Sequence, residues 1–204
     1  MIKPMSEKLP IQFRGNQLAA RILKWLGWSF QFYGLPTPRG VIVVYPHTSN
    51  WDFCIGVLAK WAMGIQVTFL AKHTLFNIPV LGAWLRYLGG MPVIRSSPQG
   101  YVDDLAQMMH AKKYAWIVIT PEGTRKYTPG WRSGFYRLAL KAQVPIGVAY
   151  IDYKHKQIGV TKFFMPTGDE VADLNMIREV YEGREGFHPQ FAAPIIFWKP
   201  PSAP

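Results

Sequence analysis

From residue 40 onward the chain alternates between short apolar runs and longer stretches with helical spacing. The runs 40–45 (GVIVVY), 66–71 (QVTFLA), 91–94 (MPVI), 114–120 (YAWIVIT) and 145–151 (PIGVAYI) are rich in β-branched residues. Their near-continuous apolar character predicts strands buried on both faces. Between them, residues 51–64, 78–88, 101–112 and 133–143 read as helices. Strands alternating with helices predict an α/β fold, a single layered domain whose largely parallel mixed sheet is flanked by helices. A further strand over 157–165 and a helix over 170–182 complete it, with Asp169 as a helix N-cap. The Pro-rich tail 194–204 reads as irregular.

The region before residue 40 has a different pattern. Residues 1–15 are polar and Pro-containing, which predicts a loose arm. Over 16–33 (NQLAARILKWLGWSFQFY), Leu18, Ile22, Trp25, Leu26 and Trp28 recur with helical spacing, while Arg21 and Lys24 lie off that stripe. This predicts an N-terminal amphipathic helix. Both an interfacial anchor and a helix packed on the domain fit the pattern. The expected organisation is an arm and helix over 1–39 and one domain over 40–204, with no internal repeat or linker.

Composition bounds the picture further. A chain of 204 residues fits one domain, and 49% hydrophobic with 17% charged residues excludes a disordered one. The 23 Lys+Arg against 12 Asp+Glu give a net charge of +11, a field that attracts nucleic acid, anionic lipid or phosphorylated small molecules. One cysteine, Cys54, rules out an intramolecular disulfide and a Cys-based metal site, as suits a reducing compartment. No signal-peptide pattern follows Lys3 and Lys8. No apolar stretch reaches the roughly 18 residues that span a bilayer; Lys60 and Gln66 interrupt the nearest one, 56–69. A cytoplasmic protein lying on the membrane face is the expected location.

Candidate chemistry sits in two clusters, each just beyond a predicted strand end, where parallel α/β sheets bind ligands. The first is His47-Thr48-Ser49-Asn50-Trp51-Asp52. Asp52 at the start of a helix is placed to accept a hydrogen bond from one ring nitrogen of His47 and leave the other free as a base. A structural histidine beside a helix cap fits the same residues. The second cluster is Pro121-Glu122-Gly123-Thr124-Arg125, followed by Lys126, Arg132 and Arg137. Glycine lets a ligand approach the backbone, and arginine grips phosphate in bidentate fashion. A solvated surface turn is the plain alternative. His73, His110, His155 and His188 lack ligand-like neighbours in sequence, so no metal site is expected.

Taken together and in this order, HTSNWD and PEGTR resemble the conserved blocks of the glycerophospholipid acyltransferase family, which includes the 1-acylglycerol-3-phosphate acyltransferases. That family carries a His-x4-Asp block and a later Pro-Glu-Gly-Thr-Arg block. Its Gly-x-x-Phe-Ile-x-Arg block corresponds to residues 89–95, ending at Arg95, and residues 72–89 are similar to the segment leading into it. Val144-Pro145-Ile146 matches the fourth block, so the resemblance covers residues 40–152. Departures are Pro46 where Asn is frequent, Pro92 and Val93 in place of Phe and Ile, and Thr120 where an aromatic often stands. The long hydrophobic N-terminus of many membrane-embedded relatives has no counterpart in residues 1–39.

The resemblance implies an acyltransferase that moves a fatty acyl group from acyl-CoA or acyl-ACP to the hydroxyl of a lysophospholipid such as 1-acylglycerol 3-phosphate. His47 and Asp52 would be catalytic, Arg95, Arg125 and Lys72 would hold the acceptor phosphate, and Glu122, Gly123 and Thr124 would belong to the acceptor site. Backbone N–H groups near Thr48–Asn50 or Gly123 are candidate donors to the developing oxyanion. No cofactor is implied. A thioester is already activated, and the chain lacks Gly-x-Ser-x-Gly, so direct transfer without an acyl-enzyme is expected and a lipase or thioesterase is disfavoured. The alternatives are another acceptor (glycerol 3-phosphate or a lyso-aminolipid) and a non-enzymatic basic module. The anionic membrane surface is an expected partner and nucleic acid is not, because the basic residues form no run or recognised nucleic-acid motif.

Overall fold

A computed structural model describes residues 9–93 and 100–198. A seven-stranded sheet runs through the molecule in the order β1-β7-β6-β2-β5-β3-β4. Its strands are β1 (Ser29–Phe32), β2 (Arg39–Tyr45), β3 (Thr68–Lys72), β4 (Gly90–Val93), β5 (Ala115–Ile119), β6 (Ile146–Asp152) and β7 (Gln157–Phe164). β2 to β6 are mutually parallel. β7 returns antiparallel to β6, and β1 pairs parallel with β7 at the sheet edge. The carboxyl ends of β2 to β6 therefore share one edge of the sheet, and β2 lies between β6 and β5 at its centre.

The period of two along β2 shows why the sheet needs two helical layers. Val41 and Val43 face one core with α5 (Tyr101–Ala111), α6 (Gly134–Ala142) and α7 (Glu170–Tyr181). Ile42 faces the other with α1 (Gln17–Trp25) and α2 (Trp51–Met63). The short α3 (His73–Phe76) and α4 (Pro79–Tyr87) lie in the connection from β3 to β4. Asp169 caps α7, accepting the N–H groups of Val171 and Ala172 at 3.0 Å each. The central strands and helices follow the sequence pattern to within a residue or two.

The region 16–33 differs from the expected single helix. α1 stops at Trp25, and Gly27, at φ +80°, turns the chain in the left-handed region that glycine adopts without strain. Trp28 then enters the core, and Ser29–Phe32 form β1. The helix is anchored by Asn16, whose side chain accepts Ala19 N–H at 3.0 Å. Its buried residues are Ala19 and Leu23, whereas Leu18, Ile22, Trp25 and Leu26 face outward. Four of the five apolar positions read from the sequence are thus turned away from the core, and the fifth, Trp28, is buried beyond the end of the helix.

Candidate active site

The chain leaves β2 at Tyr45 and enters α2 at Trp51, so His47 and Asp52 flank a loop at the carboxyl edge of the sheet. Asp52 Oδ2 accepts Thr48 N–H at 2.8 Å and Ser49 N–H at 2.9 Å, and lies 3.0 Å from His47 Nδ1. The carboxylate is therefore held by the loop it organises, in the first turn of a helix whose dipole favours a negative charge there. Its side chain is 1% exposed and that of His47 is 17% exposed. A carboxylate facing Nδ1 fixes the tautomer with the proton on Nδ1, which leaves the Nε2 lone pair to act as a base.

Glu122 lies in the turn just beyond the end of β5, the strand hydrogen-bonded to β2. Its Oε2 accepts the backbone N–H of His47 at 2.7 Å, and its Oε1 accepts Ala193 N–H at 3.3 Å. The residue is 1% exposed. Burial pushes its carboxyl up to about 8, the two backbone N–H groups pull it down, and the charge of Asp52 raises it further. The two sequence clusters thus meet through a carboxylate on a backbone amide, and Glu122 faces protein rather than open solvent. Tyr45, on β2, is pushed up to about 12 by burial and by Glu122.

The remaining site residues spread around this centre. Gly123 sits at φ +66° in a turn closed by its N–H to Thr120 O at 3.1 Å, and Arg132 Nε lies 3.2 Å from where a Cβ on Gly123 would stand. Arg132 therefore joins the PEGTR turn, where the sequence placed it only as a following positive charge. Thr124 Oγ1 accepts Lys126 N–H at 3.3 Å, and Arg125 is exposed. Lys72 ends β3 on the same sheet edge and is exposed. Arg95 lies outside the described residues. Of the candidate oxyanion donors, Thr48 and Ser49 N–H are engaged by Asp52 and Gly123 N–H by Thr120. Asn50 N–H has no hydrogen-bond partner among the described residues.

A segment with no periodic signal in sequence closes the back of the site. Residues 183–198 pass over both clusters. His188 N–H donates to Thr48 Oγ1 at 3.0 Å, and Tyr45 OH donates to Ala193 O at 2.9 Å. A Cβ on Gly186 would stand 2.6 Å from Thr48 Oγ1 and 3.0 Å from Pro46 Cβ, so the crossing requires glycine. Arg178 of α7 secures the segment through Ile195 O. The strap meets Trp131 by hydrogen bonds of 2.7 and 2.9 Å.

Apolar surface gathers on adjoining helices. Trp25 on α1 is 85% exposed, and on α4 Val80 and Tyr87 are 84% and 82% exposed, with Trp51 and Trp61 of α2 also outward. α1 joins α2 through Asn16 N–H to Trp61 O at 2.8 Å, and α2 meets α4 where Phe53 packs on Trp84 with ring centroids 5.9 Å apart. Among the described residues no helix is long and apolar enough to cross a membrane.

Comparison with known proteins places this geometry. The Acyltransferase family matches residues 29–151. The chain is 30% identical over 129 residues to a chloroplastic 1-acyl-sn-glycerol-3-phosphate acyltransferase, BAT2, of Brassica napus, which covers 61% of this chain and 35% of that protein. It is 30% identical over 125 residues to LPAT1 of Arabidopsis thaliana, a chloroplastic enzyme of the same name, covering 61% and 34%. The chain thus spans about a third of the length of these curated relatives. In structure it resembles the 1-acyl-sn-glycerophosphate acyltransferase PlsC of Thermotoga maritima, with a TM-score of 0.52 at 20% identity over 80% of this chain and 73% of that one. That likeness speaks for the fold.

Proposed function

The chain belongs to the acyltransferase family, and from that premise we propose that it transfers a fatty acyl group from acyl-CoA or acyl-ACP to the hydroxyl of 1-acylglycerol 3-phosphate. The observation that carries this reading is the contact of Asp52 with His47 Nδ1 at 3.0 Å, joined to the PEGTR turn through Glu122. His47 Nε2 takes the proton of the acceptor hydroxyl as its oxygen attacks the thioester carbonyl. The tetrahedral intermediate then expels the thiolate, and the proton on His47 passes to that sulfur. Asp52 holds the ring and stabilises the imidazolium between these events. Asn50 N–H is the backbone donor in the loop that remains open to the oxyanion.

Arg125, Lys72 and Arg95, with Arg132 beside Gly123, supply the positive charge for the acceptor phosphate. In this reading Glu122 holds the loop, and Gly123 and Thr124 shape the turn that meets the acceptor. The test is transfer of a labelled acyl group to lysophosphatidate, with glycerol 3-phosphate and a lyso-aminolipid as competing acceptors. Phosphatidate as the main product supports the reading, and the absence of lysophosphatidate acylation removes it. In Arg125→Ala the acceptor KM should rise by about tenfold, the worth of one exposed charge-assisted hydrogen bond, with kcat little changed. Unchanged KM takes Arg125 out of the site.

The acceptor is a membrane lipid, and the outward face of α1, α2 and α4 carries the features of an interfacial surface: Trp and Tyr rings, with Arg21, Lys24 and Arg86 among them. We place that face against anionic lipid on the cytoplasmic side. The protein should co-sediment with vesicles containing phosphatidylserine and less with neutral ones. Trp25→Ala should weaken that binding by about tenfold, from the apolar area withdrawn. Equal sedimentation of both proteins would move the contact elsewhere.

A further inference from the structure

The strap over 183–198 is moored to the sheet on both sides of the His47 loop. On one side Asp152, the buried last residue of β6, accepts Glu185 N–H on its Oδ1 at 3.3 Å, and Tyr153 N–H donates to Glu185 O at 2.9 Å. On the other side Ala193 N–H donates to Glu122 Oε1 at 3.3 Å, and Ala193 O accepts Tyr45 OH at 2.9 Å. Between these moorings the strap bonds to the loop itself at Thr48 Oγ1, which accepts His188 N–H at 3.0 Å.

Thr48 follows His47 directly and is 2% exposed. Its two polar groups serve different partners. The N–H donates at 2.8 Å to Asp52 Oδ2, the oxygen that also lies 3.0 Å from His47 Nδ1, whereas the hydroxyl oxygen faces the strap. Gly186 presses the strap onto that side chain, since a Cβ there would stand 2.6 Å from Thr48 Oγ1 and 3.2 Å from its Cγ2. A residue gripped on its side chain by a moored segment and on its backbone by the catalytic carboxylate fixes one against the other. Valine would fill the same space; what threonine adds is the acceptor.

We propose that Thr48 is a positioning residue of the His47–Asp52 pair: by accepting His188 N–H it locks the loop to the strap, and its own N–H then holds Asp52 Oδ2 on His47 Nδ1. Thr48 acts through Asp52 and does not touch substrate. The inference deepens the acyl-transfer reading and rests on it for its kinetic consequence. The strap lies beyond residue 151, outside the part of the chain that the family matches, so the link ties a residue within that part to a segment beyond it.

Thr48→Val keeps the shape and removes the acceptor, and Thr48→Ser keeps the acceptor and removes the methyl. In Thr48→Val, kcat for transfer should fall by about three- to tenfold, the worth of one neutral hydrogen bond, with both KM values unchanged, and Thr48→Ser should restore most of it. The 15N signals of the His47 ring should move in the valine variant from the Nδ1–H tautomer toward a mixture of the two, and stay in place in the serine variant. Gly186→Ala strains the same link from the strap side and should act alike, and the double variant with Thr48→Val should fall no further than either single one. Wild-type kcat with wild-type His47 signals in Thr48→Val overturns the proposal. A fall in kcat with unaltered His47 signals, or an equal fall in Thr48→Ser, overturns it too, because packing then explains the effect. Should Thr48→Val fail to fold, Gly186→Ala decides by the same two readouts. The His47 spectrum is read without substrate, so a wild-type protein that fails to acylate lysophosphatidate counts against the proposed reaction and leaves this link to be judged by the spectrum.

Discussion

In His47→Ala, acyl transfer should fall by about 10²–10⁴-fold, the range a positioned general base contributes, while the fold stays intact. Among the described residues the side chain makes its polar contact with Asp52 alone, and the loop is held by other groups. Glu122 grips the His47 backbone N–H, Asp52 grips Thr48 and Ser49, and His188 N–H reaches Thr48 Oγ1. All of these survive loss of the imidazole. Product formation from labelled donor and lysophosphatidate, beside a thermal melt, separates the two effects. A variant that transfers at the wild-type rate shows that His47 is not the base. An inactive variant whose melting point has collapsed would show instead that the imidazole holds the loop together.

Glu122→Gln should produce the largest change in stability, and one that depends on pH. The native carboxyl accepts two backbone N–H groups. An amide turns its NH₂ toward one of them, so at pH 5 the variant should be less stable by about 1–3 kcal/mol, the cost of an unsatisfied buried donor. For a chain of this size that corresponds to a melting point lower by about 2–10 °C. The gap should then shrink as pH rises. Glu122 titrates near 8 in the folded chain against an ordinary 4.5, so the folded state keeps a proton that the unfolded state gives up above 4.5. The stability this group contributes is whole below 4.5 and is lost as pH climbs through 8. Glutamine does not titrate and loses nothing over that window. Melting curves of the two proteins that stay parallel from pH 5 to 9 would show that Glu122 is ionised throughout.

The centre of the sheet was legible in the sequence because β2, β5 and β6 are buried on both faces, and such strands read as unbroken apolar runs. Helices α5 and α6 carried a period that matched their burial. The region 16–33 misled for a physical reason. Its Leu18, Ile22, Trp25 and Leu26 have helical spacing, which ordinarily marks a core face, but here Ala19 and Leu23 make the core contact and the larger residues face out. Gly27 was the available stop signal. Of the site, the His47–Asp52 pair was readable because the two residues flank one short loop. The bond from Glu122 to the His47 backbone was not, since a backbone amide leaves no mark in composition. The strap over 183–198 was also hidden, as its hold depends on main-chain groups of residues such as His188 and Ala193.

The order in which those anchors emerge has a bearing on synthesis. The amide groups of His188 and Ala193 that pin Thr48 and Glu122 are made 140 and 71 residues after their partners. At the usual elongation rate of roughly 5–20 residues per second, the nascent loop waits about 7–28 seconds for the His188 amide, 140 residues on. Until then the chain displays the His47–Asp52 loop without its bonds to His188 and Ala193. The loop is complete only once residues 188–193 have followed it.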